Sequence, residues 1–407
     1  MRTHSLPSLL VGQPSDRSPF STPTRVVHRV VAGVLLAMVP LAGPGVILGQ
    51  PVATEEDVSA DLPPVPDDAS AKDLIAYIDE LRANARPPRS RPEQLAYLKA
   101  LFGLSLEASE RALKQVKADS PLFEQASQKK LEALAMLSRT GDETTATQFT
   151  TYAKQLANGP SPSLAREAKR MLVLIDAQKM MQGEVALVDS VIKGMSSLLA
   201  DDPDDPQSAQ LAMQLAQALE RLPDGDNAAR SAYAAFGPLF AKSQNEGIRQ
   251  LATSFEGVLR RLNLPGNPID IEGTLLDKSD FNPASLQGKV VLVDFWATWC
   301  GPCVAEMPNV MAAYEKYHDK GFEVIGISLD EDAQAVSDFV EERKIPWPIL
   351  FGHEGGGWKH PMATKYGING IPTVILVGQN GKVVSLDARG EKLGEQLEKL
   401  FADAEKQ

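Results

Sequence analysis

The run Lys289–Cys303, KVVLVDFWATWCGPC, decides how the C-terminal third of this chain folds. Val290 to Phe295 is a short apolar run broken only by Asp294, the pattern of a strand buried on both faces. Two cysteines three apart close the run, and a helical stretch through Tyr314 follows at once. A thiol placed at a helix start faces unpaired backbone N–H groups and the positive end of the dipole, both of which favour thiolate. Cys300, first in the motif, is therefore expected to be an exposed nucleophile, and Cys303, one turn further in, the resolving thiol.

Working outward, the runs Phe322–Ile327, Thr373–Val377 and Val383–Leu386 read as further strands. Asp332–Arg343 and Glu391–Ala404 read as helices, and Gln379-Asn380-Gly381 as the turn of a hairpin. Strand, helix, strand, helix, hairpin and final helix imply an α/β domain over 263–407, with a mixed sheet and flanking helices. The breaker Leu264-Pro265-Gly266-Asn267-Pro268 marks its start.

Before it, residues 69–262 have almost no period-2 alternation. Leu74, Ile75, Ile78 and Leu81 form one helical stripe, Leu131, Leu134 and Leu137 another, and Leu164, Ala168, Leu172 and Ile175 a third. Ser120-Pro121, Ser161-Pro162, Asp202-Pro203 and Asp205-Pro206 read as helix starts, and Gly141 and Gly159 as stops. Starts roughly 40 residues apart fit helical-pair repeats, with an irregular helical bundle as the alternative. Residues 50–68, rich in proline and acid, read as a solvated linker. In residues 1–49, Arg25, His28 and Arg29 precede the uncharged stretch Val30–Gly49, which reads as an export signal peptide cleaved before Gln50 or as an N-terminal anchor.

The 407 residues are 43% apolar and 23% charged, with a formal charge of -12. No basic cluster interleaves with aromatics, which argues against nucleic acid as a partner. An exported chain ordinarily spends cysteines on structural disulfides, yet this one has two, in a loop too short to staple a fold. Redox exchange is the better use of them. His353 and His360 flank a Gly-rich loop without regular ligand spacing, so no metal site is expected there.

Trp299-Cys300-Gly301-Pro302-Cys303 resembles the active site of the thioredoxin superfamily. Phe295-Trp296-Ala297-Thr298, Glu306-Met307-Pro308 and the segment Phe322–Trp347 narrow the resemblance to TlpA/ResA-like thiol-disulfide oxidoreductases, over about 140 residues from Pro265 onward. The helical region inherits nothing from it. The resemblance implies no cofactor beyond the redox-active Cys300–Cys303 disulfide. It also implies that Ile371-Pro372 is a cis-proline turn beside Cys300, so that Trp299, Gly301, Pro302, Ile371, Pro372 and Thr373 form the surface that meets an extended client segment.

Two carboxylates compete to receive the proton of Cys303. Asp294 stands where thioredoxins keep a buried aspartate, and Glu306 matches the glutamate of the TlpA-like pattern, which has asparagine at the Asp294 position. Asp294 is expected to be the main acceptor and Glu306 a modulator. Trp299 is expected to shield the disulfide and Trp296 to pack. Gly-Pro between the cysteines lacks the histidine of strongly oxidising sites, which points to a reducing poise. The implied partners are disulfide-containing exported clients, apocytochrome c being the family's usual one, and a membrane-linked electron donor, in a periplasmic or cell-envelope setting. Two further readings are a thiol peroxidase, whose Pro-x-x-x-Thr-x-x-Cys loop is absent, and a helical adaptor that docks a protein partner with the redox domain as an accessory.

Overall fold

The computed structural model describes residues 62–404 apart from 89, 223 and 224, and these all fall in one compact unit, Thr54–Gln407. The proposed signal or anchor, 1–49, and the first part of the linker lie outside the described residues. Among the described residues no helix is long and apolar enough to cross a membrane.

The first half is helical: α1 Ala71–Ala83, α2 Arg91–Leu113, α3 Pro121–Ser138, α4 Glu143–Ala157, α5 Pro162–Met181, α6 Val188–Asp201, α7 Pro206–Glu220, α8 Asp226–Phe240 and α9 Glu246–Leu262. The expected starts act as read at two serines: Ser120 and Ser161 cap α3 and α5 with Pro at the first helical position. Asp205 caps α7, whereas Asp202 closes α6, so Asp202-Pro203 is a stop and not a second start. The main packing partners are sequence neighbours, joined by α1 with α3, α3 with α5 and α6 with α8. This is how stacked helical pairs pack, each unit covering the apolar face of the next. One hydrophobic cluster joins α3, α4 and α5, and a larger one runs from Val173 to Leu262.

The second half contains β1 Val290–Trp296, α10 Gly301–Tyr317, β2 Phe322–Ser328, α11 Ala333–Arg343, β3 Ile349–Phe351, α12 Pro361–Lys365, β4 Thr373–Val377, β5 Val383–Ser385 and α13 Glu391–Ala404. The five strands lie in the order β3-β2-β1-β4-β5. β1 pairs parallel with β2 and antiparallel with β4, which gives the mixed sheet the sequence implied. β1 is central and buried throughout, as its continuous apolar run requires.

Both connecting segments are held against the elements they join. Among the described residues the end of the acidic stretch 50–68 is mostly exposed, yet it is tied to the helices: Val65 is buried, Tyr77 Oη donates to the Pro63 carbonyl at 2.7 Å, and Arg111 reaches the carbonyls of Pro66 and Asp67. Proline-rich chain leaves its carbonyls unpaired, and these side chains satisfy them. The breaker 264–268 is paired with the sheet edge. The Gly266 N–H donates to the Val383 carbonyl at 2.8 Å and Val383 returns a bond to Asn267 at 2.9 Å, covering the edge strand β5.

The two halves also meet face to face. Gly257 of α9 lies so close to α12 and its following turn that a Cβ there would come within 2.7 Å of Gly367 N and of the Thr364 carbonyl. Arg260 donates to the Lys365 carbonyl at 2.5 Å. Buried Arg261 bridges Glu220 at 2.5 Å and the Tyr366 carbonyl at 3.3 Å.

Candidate active site

β1 ends at Trp296, and Ala297–Trp299 carry the chain over the sheet's C-terminal edge to α10. Cys300 is the N-cap of that helix, its Sγ accepting the Cys303 N–H at 3.2 Å, and Cys300 and Cys303 are joined as a disulfide. The helix-end electrostatics anticipated for Cys300 are therefore in place, and they favour its thiolate once the bond is reduced. The expected exposure of Cys300 is not met in this oxidised state: it is 5% exposed and Cys303 4%, since each sulfur is spent on the other and the pair is tucked against the core.

Strand register brings the proline turn to the same place. Phe295 pairs with Thr373 and Asp294 with Val374, so the residues preceding Thr373 arrive beside the chain that leaves β1. Ile371-Pro372 is a cis peptide. Ile371, Pro372 and Thr373 are half-exposed, while Gly301 and Pro302 are exposed at the first turn of α10. Thr373 Oγ1 ties the turn to the Gly370 carbonyl at 2.7 Å, and Arg389 donates to the Pro372 carbonyl at 3.1 Å.

Asp294 lies in the middle of β1, between Gly326 of β2 and Val374 of β4. It is 7% exposed, and its carboxyl makes no hydrogen bond among the described residues. Burial pushes its pKa up to about 7; the nearby Glu306 charge adds to the rise and Arg389 opposes it. Glu306 is half-buried and differently employed, accepting from Gly390 N at 2.7 Å and Asn309 Nδ2 at 2.7 Å. It fastens α10 to the loop that carries Arg389.

Trp296 packs as expected, buried against Phe339. Trp299, beside the buried disulfide, has its own ring open to solvent. It is 58% exposed, with its ring centroid 6.3 Å from that of Trp358. His353 binds the Leu275 carbonyl at 2.8 Å. Buried His360 accepts the Met362 N–H at 3.1 Å, and burial lowers its pKa to about 4.

Sequence reasoning passed over three residues here. Buried Asp330 accepts from Thr298 N at 3.0 Å, Thr298 Oγ1 at 2.5 Å and Ser328 Oγ at 2.9 Å, fixing the loop ahead of Cys300. Arg389 braces the proline turn, and Trp358 stands beside Trp299. Asp330 left one trace, an acid directly after an apolar strand; the other two left none.

Residues 264–402 match the Redoxin family. The chain is 36% identical over 132 residues to the thiol-disulfide oxidoreductase ResA of Bacillus thuringiensis subsp. konkukian, covering 32% of this chain and 70% of that one. The chain belongs to the ResA-like thiol-disulfide oxidoreductases of the thioredoxin superfamily. It is also 38% identical over 129 residues to the ResA of Bacillus anthracis, covering 32% of this chain and 68% of the relative. A solved thioredoxin domain of a thiol-disulfide oxidoreductase from Bacteroides vulgatus aligns at 31% identity and TM-score 0.31, over 34% of this chain and 97% of its own. This oxidoreductase is thus an enzyme whose matched region holds the disulfide, while the helices of residues 69–262 lie outside the matched Redoxin segment.

Proposed function

We propose that this oxidoreductase is exported and reduces disulfides of other cell-envelope proteins. The observation that carries the reading is a dithiol pair at a helix N-terminus, beside a cis-proline turn, with a buried carboxyl of pKa about 7 on the adjoining strand. In the first step the Cys300 thiolate attacks one client sulfur, the client S–S bond breaks, and one client thiolate leaves. Cys303 then loses its proton to Asp294, attacks Cys300 Sγ and expels the second client thiolate. Two electrons pass to the client and the enzyme is left as the disulfide seen here. A dithiol donor linked to the membrane returns the electrons.

Glu306 modulates this chemistry through its charge on Asp294 and through its hold on Gly390. Trp299, Gly301, Pro302, Ile371, Pro372 and Thr373 form the rim on which an extended client segment lies, with the Ile371 backbone open to pair with it. The uncharged stretch Val30–Gly49 behind Arg25, His28 and Arg29 supports export. The test is insulin reduction by the full chain with a dithiol as donor, together with thiol labelling of the envelope fraction. Turnover that depends on Cys300 is expected, and a chain that stays in the cytosol or fails to reduce insulin would overturn the reading.

A further inference from the structure

Beside the disulfide, and sharing only Trp299 with the client rim, a cleft of about 390 Å³ opens between Trp299 and Trp358, lined also by Asp330, Glu331 and Asp332. Both indoles face solvent, at 58% and 48% exposure, and their planes meet at 57°. Two large apolar rings left open beside a reactive bond mark a contact surface, since monomers ordinarily cover such groups.

The cleft is held in shape from below. The Asp330 carboxylate fixes Thr298, next to Trp299, while the Asp330 carbonyl accepts the Gly357 N–H at 3.2 Å, next to Trp358. Gly357 has φ +63°, and a Cβ there would meet Glu331 Oε1 at 3.1 Å, so glycine lets the Trp358 turn close down on the acidic floor. One buried residue thus sets the distance between the two rings.

Charge selects the occupant. Asp330 is buried and fully committed to its hydrogen bonds. Glu331 and Asp332 are exposed and neither forms an ion pair among the described residues, although one Asp332 oxygen caps α11 by accepting the Gln334 N–H at 2.9 Å. Lys359, on the Trp358 turn, neutralises neither of them. Two exposed carboxylates with no cation beside them, Glu331 and the helix-capping Asp332, lie under two π faces and favour a cation on an alkyl stem, because the stem packs on the rings while the charge meets both the ring quadrupoles and the carboxylates.

We propose that this cleft binds a lysine or arginine side chain of the client close to its reducible disulfide, and so selects cationic client segments. The proposal rests on the reductase reading above and names the substrate class for that site. An anionic segment is repelled, and an apolar one gains only the ring contact.

The test uses the full chain and three disulfide peptides identical except for one residue flanking a cysteine, which is Arg, Leu or Glu. A KM about fivefold lower for the Arg peptide than for the Leu peptide is expected, with the Glu peptide poorest and the differences shrinking at high salt. The Arg-to-Leu ratio should fall to about one in a Glu331→Gln/Asp332→Asn protein. Equal KM values for Arg and Leu peptides in the unaltered chain, or a ratio that survives the double substitution, would overturn the cleft assignment. The Leu peptide separates the two ideas: if it is reduced, the reductase reading holds whatever the cleft does, and if no peptide is reduced, the reductase reading itself fails.

Discussion

In the helical half each hydrophobic cluster is assembled from nearby helices, Leu131 to Ala168 in one and Val173 to Leu262 in the next. In the sheet half a single cluster gathers residues from Leu264 to Phe401, and its central strand pairs with β2 on one side and the much later β4 on the other. A stack of neighbours can be extended or trimmed a unit at a time. A central strand cannot, because all its partners must arrive together, and that convergence is what puts Cys300, Asp294 and Pro372 in one place. The chemistry sits where contacts are long-range, and the helices supply a flank whose α9 packs onto α12 and the turn after it.

The sharpest way to break this division of labour is Cys300→Ser, which should lower insulin reduction by a factor on the order of 10³ or more while far-UV ellipticity stays unchanged. Retained activity would mean that the thiol chemistry resides elsewhere.

Gly257→Ala tests whether the two halves form one body. On a free helix face, alanine gains roughly 1 kcal/mol over glycine. Against the backbone of Gly367 it should instead cost about 1–3 kcal/mol, read as a lower Tm. Client KM should rise as well, since the displaced turn leads directly to Ile371-Pro372. A higher Tm would show a loose joint.

Asp294→Asn asks whether the buried carboxyl is a working group. The folded pKa, about 7, lies above the ordinary aspartate value of about 3.9, so the folded state holds its proton more tightly. The stability this confers is full below pH about 4 and is lost as pH rises through 7. The variant should therefore gain on the parent as pH climbs through that window, by a few degrees of Tm at pH 8, each kcal/mol being worth about 2–4 °C. Release of product from the mixed disulfide should lose its inflection near pH 7 in the same variant. The smallest effect belongs to the helical surface: Asp79→Asn removes the exposed pair with Lys129 and should change stability by less than about 0.5 kcal/mol.

Much of this was legible in residue order because the signals were local. Four strands, the helix after Cys300, the caps at Ser120, Ser161 and Asp205 and the Gln379-Asn380-Gly381 turn all depend on neighbours within a few positions. β3 was not legible, since Ile349–Phe351 is three residues long and follows Pro346-Trp347-Pro348. Asp202-Pro203 imitated a helix start because the same two residues also suit a turn between helices.

By itself the sequence determined the α/β unit, the helical region before it and the two sulfurs that react, because periodicity and a Cys-x-x-Cys at a strand-to-helix turn are properties of adjacent residues. Only the tertiary structure decided that Asp294 is buried near the charges of Glu306 and Arg389, that Asp330 and Arg389 secure the loops on either side of the disulfide, that Trp358 stands beside Trp299, and that α9 is pressed onto the turn leading to Pro372. Each of these joins residues tens of positions apart, and burial and proximity at that range are fixed by how the whole chain packs.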